Sequence, residues 1–178
     1  MKFVVQAMLG LSLVMTVPAF AAAAPAGQAA AATPAHVKAV QDLLASMQVD
    51  KVLRGVAARS RFASEAQRKA VFAKLDRTPP AEVYQRMAPA LAPVISADTA
   101  AEMTRFYNTP YGQKVIHDKY NSGTQIMFPG AKPVVPPEEK KERKRAAYVQ
   151  ASKELADAQP MIEREAFKLL QQIDKEKR

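Results

Sequence analysis

Residues 105–114 read RFYNTPYGQK and predict a tight junction between two helices. Pro110 disfavours the helical conformation of the residue before it, so the first helix should end near Asn108. Thr109 can then cap a second helix that has Pro110 at its first position. Gly112 lowers the helix propensity of that first turn. We therefore expect Gly112 to let another backbone or side chain approach the corner closely.

Helical patterns extend from this corner in both directions along the chain. Upstream, Thr33-Pro34 is a typical helix start, with threonine as the cap and proline at the first position. The apolar residues that follow recur every three or four positions, as on one helical face: Val37, Val40, Leu44 and Met47. Asp50 and Ser64 are expected to cap the next two helices, and Ser96 or Asp98 a further one. No segment alternates apolar and polar residues as a strand does, so we predict an all-α protein, a compact bundle of about six helices.

Prolines and glycines indicate where this helical pattern should fail. Pro89 and Pro93 are expected to kink or break the helix that contains them, and Pro160 to interrupt a later one. Residues 121–137 are rich in proline and glycine but also apolar, which predicts a loop that packs back on the domain. A charged helical segment, residues 138–178, should follow this loop.

The first 21 residues have the pattern of a secretory signal peptide. Lys2 supplies the positive charge, an apolar run follows, and Ala19-Phe20-Ala21 offers the small residues of a cleavage site. We therefore expect a periplasmic or secreted protein, cleaved near Ala21, with no transmembrane segment in the mature chain. Residues 22–32 are mostly alanine and should form a flexible leader.

The composition limits the chemistry that this chain can perform. The 178 residues carry a formal net charge of +9 and contain no cysteine. Without cysteine there can be no disulfide, thiolate nucleophile or zinc–thiolate site, so the fold must be held by apolar burial. A basic exported chain could bind an anionic partner, although a solvated surface that keeps the protein soluble accounts for the same charge.

The corner block resembles the signature of an uncharacterised bacterial family of exported helical proteins. The residues that match this signature are Phe106, Tyr107, Thr109, Pro110, Gly112, Gln113 and Lys114. The order of a signal peptide, a short leader and then residues 43–47 ahead of Asp50-Lys51 is also similar, and the likeness covers residues 37–119. This resemblance implies export and a helical fold, but it implies no particular activity. The proline-rich stretch and the basic C-terminal segment depart from the family's pattern.

These observations predict one helical domain, residues 33–178. Its parts are a family-like region (33–120), the loop (121–137) and the charged C-terminal helices (138–178).

The sequence contains no group of residues in a pattern that is typical of a catalytic site. His36 lies at the end of the leader, where we expect disorder, and His117 precedes Asp118, but adjacent helical residues point apart. The sequence also contains no phosphate-binding loop and no dinucleotide fingerprint. We predict no catalytic residue, no metal site and no cofactor.

Two groups of residues are candidates for binding. The first is a face beside the corner that could bind an anionic or peptide partner: Arg105, Tyr107, Tyr111, Gln113 and Lys114. The second is a basic patch after the loop: Lys140, Lys141, Lys144 and Arg145. For the corner face, the alternative is that the tyrosines serve only in packing. For the basic patch, the alternative is a solvated helix stabilised by the pairs Glu139–Arg143 and Glu142–Arg145.

The function that these features favour is a non-enzymatic module that binds an envelope protein or an anionic envelope surface. Nucleic acid is a poor candidate partner, because Tyr148 is the only aromatic residue near the basic patch. One alternative is a hydrolase of envelope polymers that uses two of the carboxylates of Glu82, Asp98, Glu102 and Asp118. Another is a structural or chaperone-like module whose apolar loop at residues 126–128 covers a groove. The oligomeric state stays open.

Overall fold

The computed structural model describes residues 32–121 and 135–177, which contain α-helices and no strand. The predicted signal peptide, the leader up to residue 31 and most of the predicted loop, including residues 126–128, lie outside the described residues. The helices are α1 (Pro34–Ser46), α2 (Val49–Arg59), α3 (Glu65–Arg77), α4 (Pro80–Leu91), α5 (Ala97–Tyr107), α6 (Pro110–Asn121), α7 (Pro137–Glu142) and α8 (Ala146–Lys175). The all-α prediction is confirmed, although the described part of the chain has eight helices where about six were expected.

Local capping starts several helices where the sequence predicts. Thr33 Oγ1 accepts a hydrogen bond from the backbone N–H of His36 at 3.2 Å, and Ser96 Oγ accepts one from Thr99 at 3.2 Å. Ser64 Oγ accepts the equivalent bond from Gln67 at 3.1 Å. Each bond satisfies a donor that the first turn of a helix leaves without a partner.

The start of α2 differs from the prediction. The helix begins at Val49, after Gln48 adopts a left-handed conformation with φ 53°. Asp50, which was expected to cap this helix, lies in its first turn, and its side chain accepts a hydrogen bond from the Tyr84 hydroxyl at 2.5 Å. The turn is made by the backbone of Gln48, so Asp50 is available for a contact with α4.

One long helix organises the core. Helix α8 packs against α2, α3, α4 and α5, while α1 packs against α4 and α5. The predicted apolar face of α1 is buried in this core, with Val40, Leu43 and Leu44 fully inaccessible to solvent. Burial of an aliphatic side chain of this size contributes about 1.5–3 kcal/mol, so this face anchors the helix. None of the helices in residues 32–121 and 135–177 combines the length and apolar character that crossing a membrane requires.

The prediction that Pro160 interrupts a helix is wrong. Helix α8 runs through Pro160 without a break, and α4 likewise contains Pro89. A proline inside a helix costs about 3 kcal/mol. In α8 this cost is offset because Leu155 and Ile162, on either side of Pro160, are buried in the same core. The break in the charged segment lies earlier, between the end of α7 at Glu142 and the start of α8 at Ala146.

Candidate binding site at the α5–α6 corner

The corner between α5 and α6 has the predicted geometry. Helix α5 ends at Tyr107 and α6 begins at Pro110. Between them, Thr109 Oγ1 accepts a hydrogen bond from the backbone N–H of Gly112 at 3.0 Å and donates one to the Phe106 carbonyl at 2.7 Å. A Cβ atom on Gly112 would lie only 2.1 Å from that carbonyl oxygen and 2.7 Å from Tyr107 Cα. Glycine is therefore required here because the two helix ends touch through their backbones.

An aromatic cluster holds the inside of the corner. Phe106 is almost fully buried, and its ring centroid lies 5.2 Å from that of Tyr107, 6.1 Å from that of Tyr111 and 4.9 Å from that of Tyr148. Tilted and edge-on pairs at these distances are favourable aromatic contacts. Burial raises the pKa of Tyr107 to about 12, so its hydroxyl stays neutral. Since Tyr148 belongs to α8, the cluster joins α5, α6 and α8.

An ion-pair cluster fixes α7 and the start of α8 beside α5. Arg105 donates to Glu102 at 2.8 Å and to Glu142 at 2.6 Å, while Arg145 donates to the same two carboxylates at 2.6 Å and 2.9 Å. The hydrogen bonds from Arg105 are the main reason that the pKa values of Glu102 and Glu142 lie below the ordinary range. Both carboxylates are therefore charged and neutralised by guanidinium groups.

A second connection joins α6 to α7. The Tyr111 hydroxyl donates to Glu139 at 3.0 Å, and the same carboxylate pairs with Arg143. The pair Glu139–Arg143, like Glu142–Arg145, has the helical spacing that the sequence suggests. Helix α7 is thus held at the corner from two sides.

A groove of about 570 Å³ lies between the first turn of α6 and α7. Its α6 side consists of Thr109, Pro110, Tyr111 and Lys114, and its α7 side of Pro136, Glu138, Lys141 and Glu142. Lys114 and Lys141 are both exposed. The corner and the basic segment, which the sequence presents as two separate candidates, therefore meet in one groove.

Only some residues of the predicted binding face beside the corner lie together at the groove. Tyr111 and Lys114 line the groove, and Arg105 borders it through its pair with Glu142. Tyr107 instead lines a smaller cavity of about 260 Å³. Tyr111 lines both this cavity and the groove. Gln113 is exposed and lines neither cavity.

The predicted basic patch is likewise divided. Lys141 lines the groove, while Lys140 and Lys144 are exposed and form no ion pair within the described part of the chain. Arg145 belongs to the ion-pair cluster with Glu102 and Glu142, so its charge is already neutralised. The solvent-facing patch is therefore reduced to three lysines.

Sequence reasoning did not find the residues that build the α7 side of the groove. Pro136 and Glu138 carry no local signal of binding, and Glu142 was considered only for a pair within its own segment. The contacts that bring them to the corner join residues far apart in sequence, 28 positions for Tyr111–Glu139 and 37 for Arg105–Glu142. One sequence contains no local pattern that reports such pairs.

Both histidines have surroundings that differ from those predicted from the sequence. His36, expected in a disordered leader, lies in the first turn of α1, and its Nε2 donates to the Ile95 carbonyl at 2.7 Å. His117 Nδ1 lies 3.4 Å from Asp118 Oδ1, so these neighbours do contact each other. Among residues 32–121 and 135–177, no three side chains of the metal-binding types cluster closely enough to hold an ion.

Comparison with known protein families, with curated proteins and with solved structures finds no match to this chain. The resemblance of the corner block to exported helical proteins therefore stays a prediction.

The ion-pair cluster predicts a pH-dependent stability. The folded-state pKa values of Glu102 and Glu142 are lowered, so their contribution is fully present above the ordinary value of about 4.5 and is lost as the pH falls through the folded-state values. We expect the variant Glu102→Gln/Glu142→Gln to be about 1–2 kcal/mol less stable than the parent protein at neutral pH. Urea unfolding between about pH 7 and pH 3 measures this difference, which should shrink in acid. A difference that is constant across this range would contradict the assignment.

Proposed function

We propose that this protein is an exported, non-enzymatic binding module, and that its groove between α6 and α7 binds an acidic peptide segment of an envelope protein. Export rests on the signal-peptide pattern of residues 1–21. The observation that carries the binding proposal is the groove itself, whose apolar surface is flanked by two exposed lysines.

The shape and chemistry of the groove suit an extended peptide. Pro110, Pro136 and the ring of Tyr111 supply apolar surface. Lys141 supplies a positive charge that is in no ion pair within the described residues, and Lys114 supplies one that is paired with Asp118 at 2.6 Å. Of the two carboxylates in the groove wall, Glu142 adds no net repulsion because two arginines neutralise it, while Glu138 is exposed at the α7 side. Ligand sites typically combine apolar walls with a few polar groups that set orientation. An acidic side chain paired with a lysine, next to an apolar residue against the prolines, satisfies both features.

The carboxylates do not favour a hydrolase. General-acid catalysis needs a carboxylic acid that keeps its proton near neutral pH. Glu102 has a lowered pKa beside Arg105, Asp118 pairs with Lys114 at 2.6 Å, and Glu82 pairs with Arg86 at 3.2 Å. Each of these three carboxylates has a basic partner, and Asp98, the fourth candidate, is exposed in the first turn of α5. These surroundings favour a binding module over a hydrolase.

A peptide partner is also better supported than a broad anionic surface. A surface-binding helix needs several free cations on one side and apolar residues that enter the membrane. Helix α7 has no buried residue and is six residues long, and Arg145 is held in ion pairs. The lysine of this segment that meets apolar surface is Lys141, and it does so inside the groove.

Selection of peptides from a random displayed library tests this proposal. The purified protein should enrich acidic peptides that also contain apolar residues. We expect the groove variant Lys114→Gln/Lys141→Gln to bind the selected peptides more than about tenfold more weakly, because each lost charge-assisted contact is worth about 1.5–3 kcal/mol. Binding should also weaken as salt is added.

The matched control removes the same charge elsewhere. Lys69 on α3 and Lys153 on α8 are exposed and line no described cavity, so Lys69→Gln/Lys153→Gln should bind these peptides as the parent protein does. Equal losses in the two variants would reduce the effect to net charge and reject the groove. Binding to anionic vesicles that Lys114→Gln/Lys141→Gln loses and Lys69→Gln/Lys153→Gln retains would overturn the peptide assignment.

A further inference from the structure

A further cavity, distinct from the groove and from the cavity lined by Tyr107, lies between α2, α6 and α8 and is lined by several basic side chains. It has a volume of about 230 Å³, and none of its lining residues lines the groove. Helix α2 contributes Lys51 and Arg59, α6 contributes Lys119, and α8 contributes Gln159 and the single carboxylate, Glu163. Three cations thus face one anion in a small concave site.

The three cations at this site form no ion pair with the described residues, whereas several basic side chains elsewhere in the protein do. In residues 32–121 and 135–177, Arg54, Arg86, Arg105 and Lys114 all form ion pairs. No ion pair of this kind joins Lys51, Arg59 or Lys119 to the described residues. Lys119 is exposed and lines the cavity. Partial desolvation of its ammonium group lowers its pKa, and the nearby charge of Glu163 offsets only part of this effect. An added anion would supply the missing compensation.

An aromatic ring holds the two lysines in place. Lys51 Nζ lies 5.2 Å from the centroid of the Tyr120 ring and Lys119 Nζ lies 5.6 Å from it. Both distances are within the range of cation–π attraction. The Tyr120 hydroxyl donates to the Met47 carbonyl at 2.9 Å, which fixes the ring itself. The ammonium groups are therefore positioned before any ligand arrives.

Gly55 opens the floor of the cavity. Lys51, Gly55 and Arg59 are spaced four residues apart, so they lie on one face of α2, with the glycine between the two cations. A glycine inside a helix costs about 1 kcal/mol relative to alanine. Packing does not require it here, because a Cβ atom would meet only the Arg59 guanidinium at an ordinary 3.5 Å. The space above Gly55 is therefore available to a ligand.

We infer that Lys51, Arg59 and Lys119 form a binding site for a phosphate group, with Gly55 as its floor. Phosphate carries several oxygens around one centre, so it can accept from an arginine fork and from two lysine point charges together. The Gln159 amide is a further donor at the rim. The phosphate is either free in solution or part of a lipid headgroup, and both sources share this chemistry.

NMR titration of the isotope-labelled full chain with inorganic phosphate tests the site, with sodium chloride at equal ionic strength as the reference. We expect saturable shifts of the backbone amides of Gly55, Arg59 and Tyr120. The variant Lys51→Gln/Arg59→Gln/Lys119→Gln should weaken phosphate binding more than about tenfold. The control Lys69→Gln/Arg77→Gln/Lys153→Gln removes the same charge from exposed residues outside the cavity and should leave the titration unchanged.

A second variant tests the cavity without changing charge. Gly55→Leu places a side chain in the space between Lys51 and Arg59, and leucine is a good helix former. It should abolish phosphate binding while circular dichroism and peptide binding at the groove stay unchanged. Absence of saturable shifts in the parent protein, equal loss in the control, or full binding by folded Gly55→Leu would overturn the site.

Vesicles separate the two sources of phosphate. Flotation is compared for phosphatidylcholine vesicles with and without phosphatidic acid, whose headgroup is a phosphate monoester. Binding to the acidic vesicles that the cavity variant loses and the control retains would support the site with a lipid as its ligand. Phosphate shifts without vesicle binding would support the site with a soluble phosphate ligand.

Discussion

Replacement of Gly112 by alanine is expected to destabilise the protein by about 3 kcal/mol. The new Cβ would lie 2.1 Å from the Phe106 carbonyl oxygen and 2.7 Å from Tyr107 Cα. Both atoms belong to the backbone, so no side-chain rotation relieves the clash, and the ends of α5 and α6 must separate. Overpacking typically costs about 1–3 kcal/mol, and this site lies at the upper end because the hydrogen bonds of Thr109 are also disturbed. Urea unfolding measures the loss.

The same substitution at Gly55 is the control for Gly112→Ala. Both glycines lie inside helices, but a Cβ at Gly55 has room. Gly55→Ala should therefore stabilise the protein by about 0.5–1 kcal/mol, as helix propensity alone predicts. Opposite signs at the two positions would establish that the corner needs close backbone contact. A stabilising Gly112→Ala would show that α5 and α6 do not meet as described.

Truncation of Phe106 to alanine should have the largest effect, a loss of about 3–5 kcal/mol. The ring is buried and lies at the centre of the cluster of Tyr107, Tyr111 and Tyr148. Its removal leaves a cavity where α5, α6 and α8 meet, and it also removes three aromatic contacts. Since a domain of this size is stable by only about 5–15 kcal/mol, thermal and urea unfolding should both show a large shift.

Phe167 provides the matched control for Phe106→Ala. It is the same residue type on α8 but remains 45% exposed. Phe167→Ala should destabilise the protein by only about 1–2 kcal/mol, because little more than half of the residue is buried. If the two alanine variants were equally unstable, the corner cluster would not be the packing centre that the ring distances indicate.

Much of the fold could be predicted because helix starts and helix faces are local properties. Thr33, Ser64 and Ser96 cap the helices that the sequence assigns to them, and the spacing of Val40, Leu44 and Met47 correctly identified the buried face of α1. Where a local rule competed with burial, burial prevailed. Pro160 should end a helix by its own chemistry, but α8 continues through it because the residues on both sides are held in the core.

The candidate binding site likewise has a part that could be predicted from local sequence and a part that could not. Tyr111 and Lys114 could be selected from the corner block, and Lys141 from its basic segment. Their meeting in one groove could not, because it depends on the contacts Tyr111–Glu139 and Arg105–Glu142. The sequence does not predict the cavity between α2, α6 and α8. Its residues Lys51, Lys119 and Gln159 belong to three different helices, and none of them is part of a recognisable motif in its own segment.

The helical class could be inferred from the sequence alone, as could the caps, the turn at Thr109-Pro110 and the special place of glycine at position 112. The caps follow from interactions between residues three positions apart, and the glycine from a backbone contact with residues five and six positions earlier, so both act within a short stretch of chain. Long-range contacts determine where α7 docks, which cations form no ion pair and which cavities open between the helices. Those outcomes depend on how α8 aligns distant segments against one another, because burying its apolar face fixes the positions of the polar groups around it.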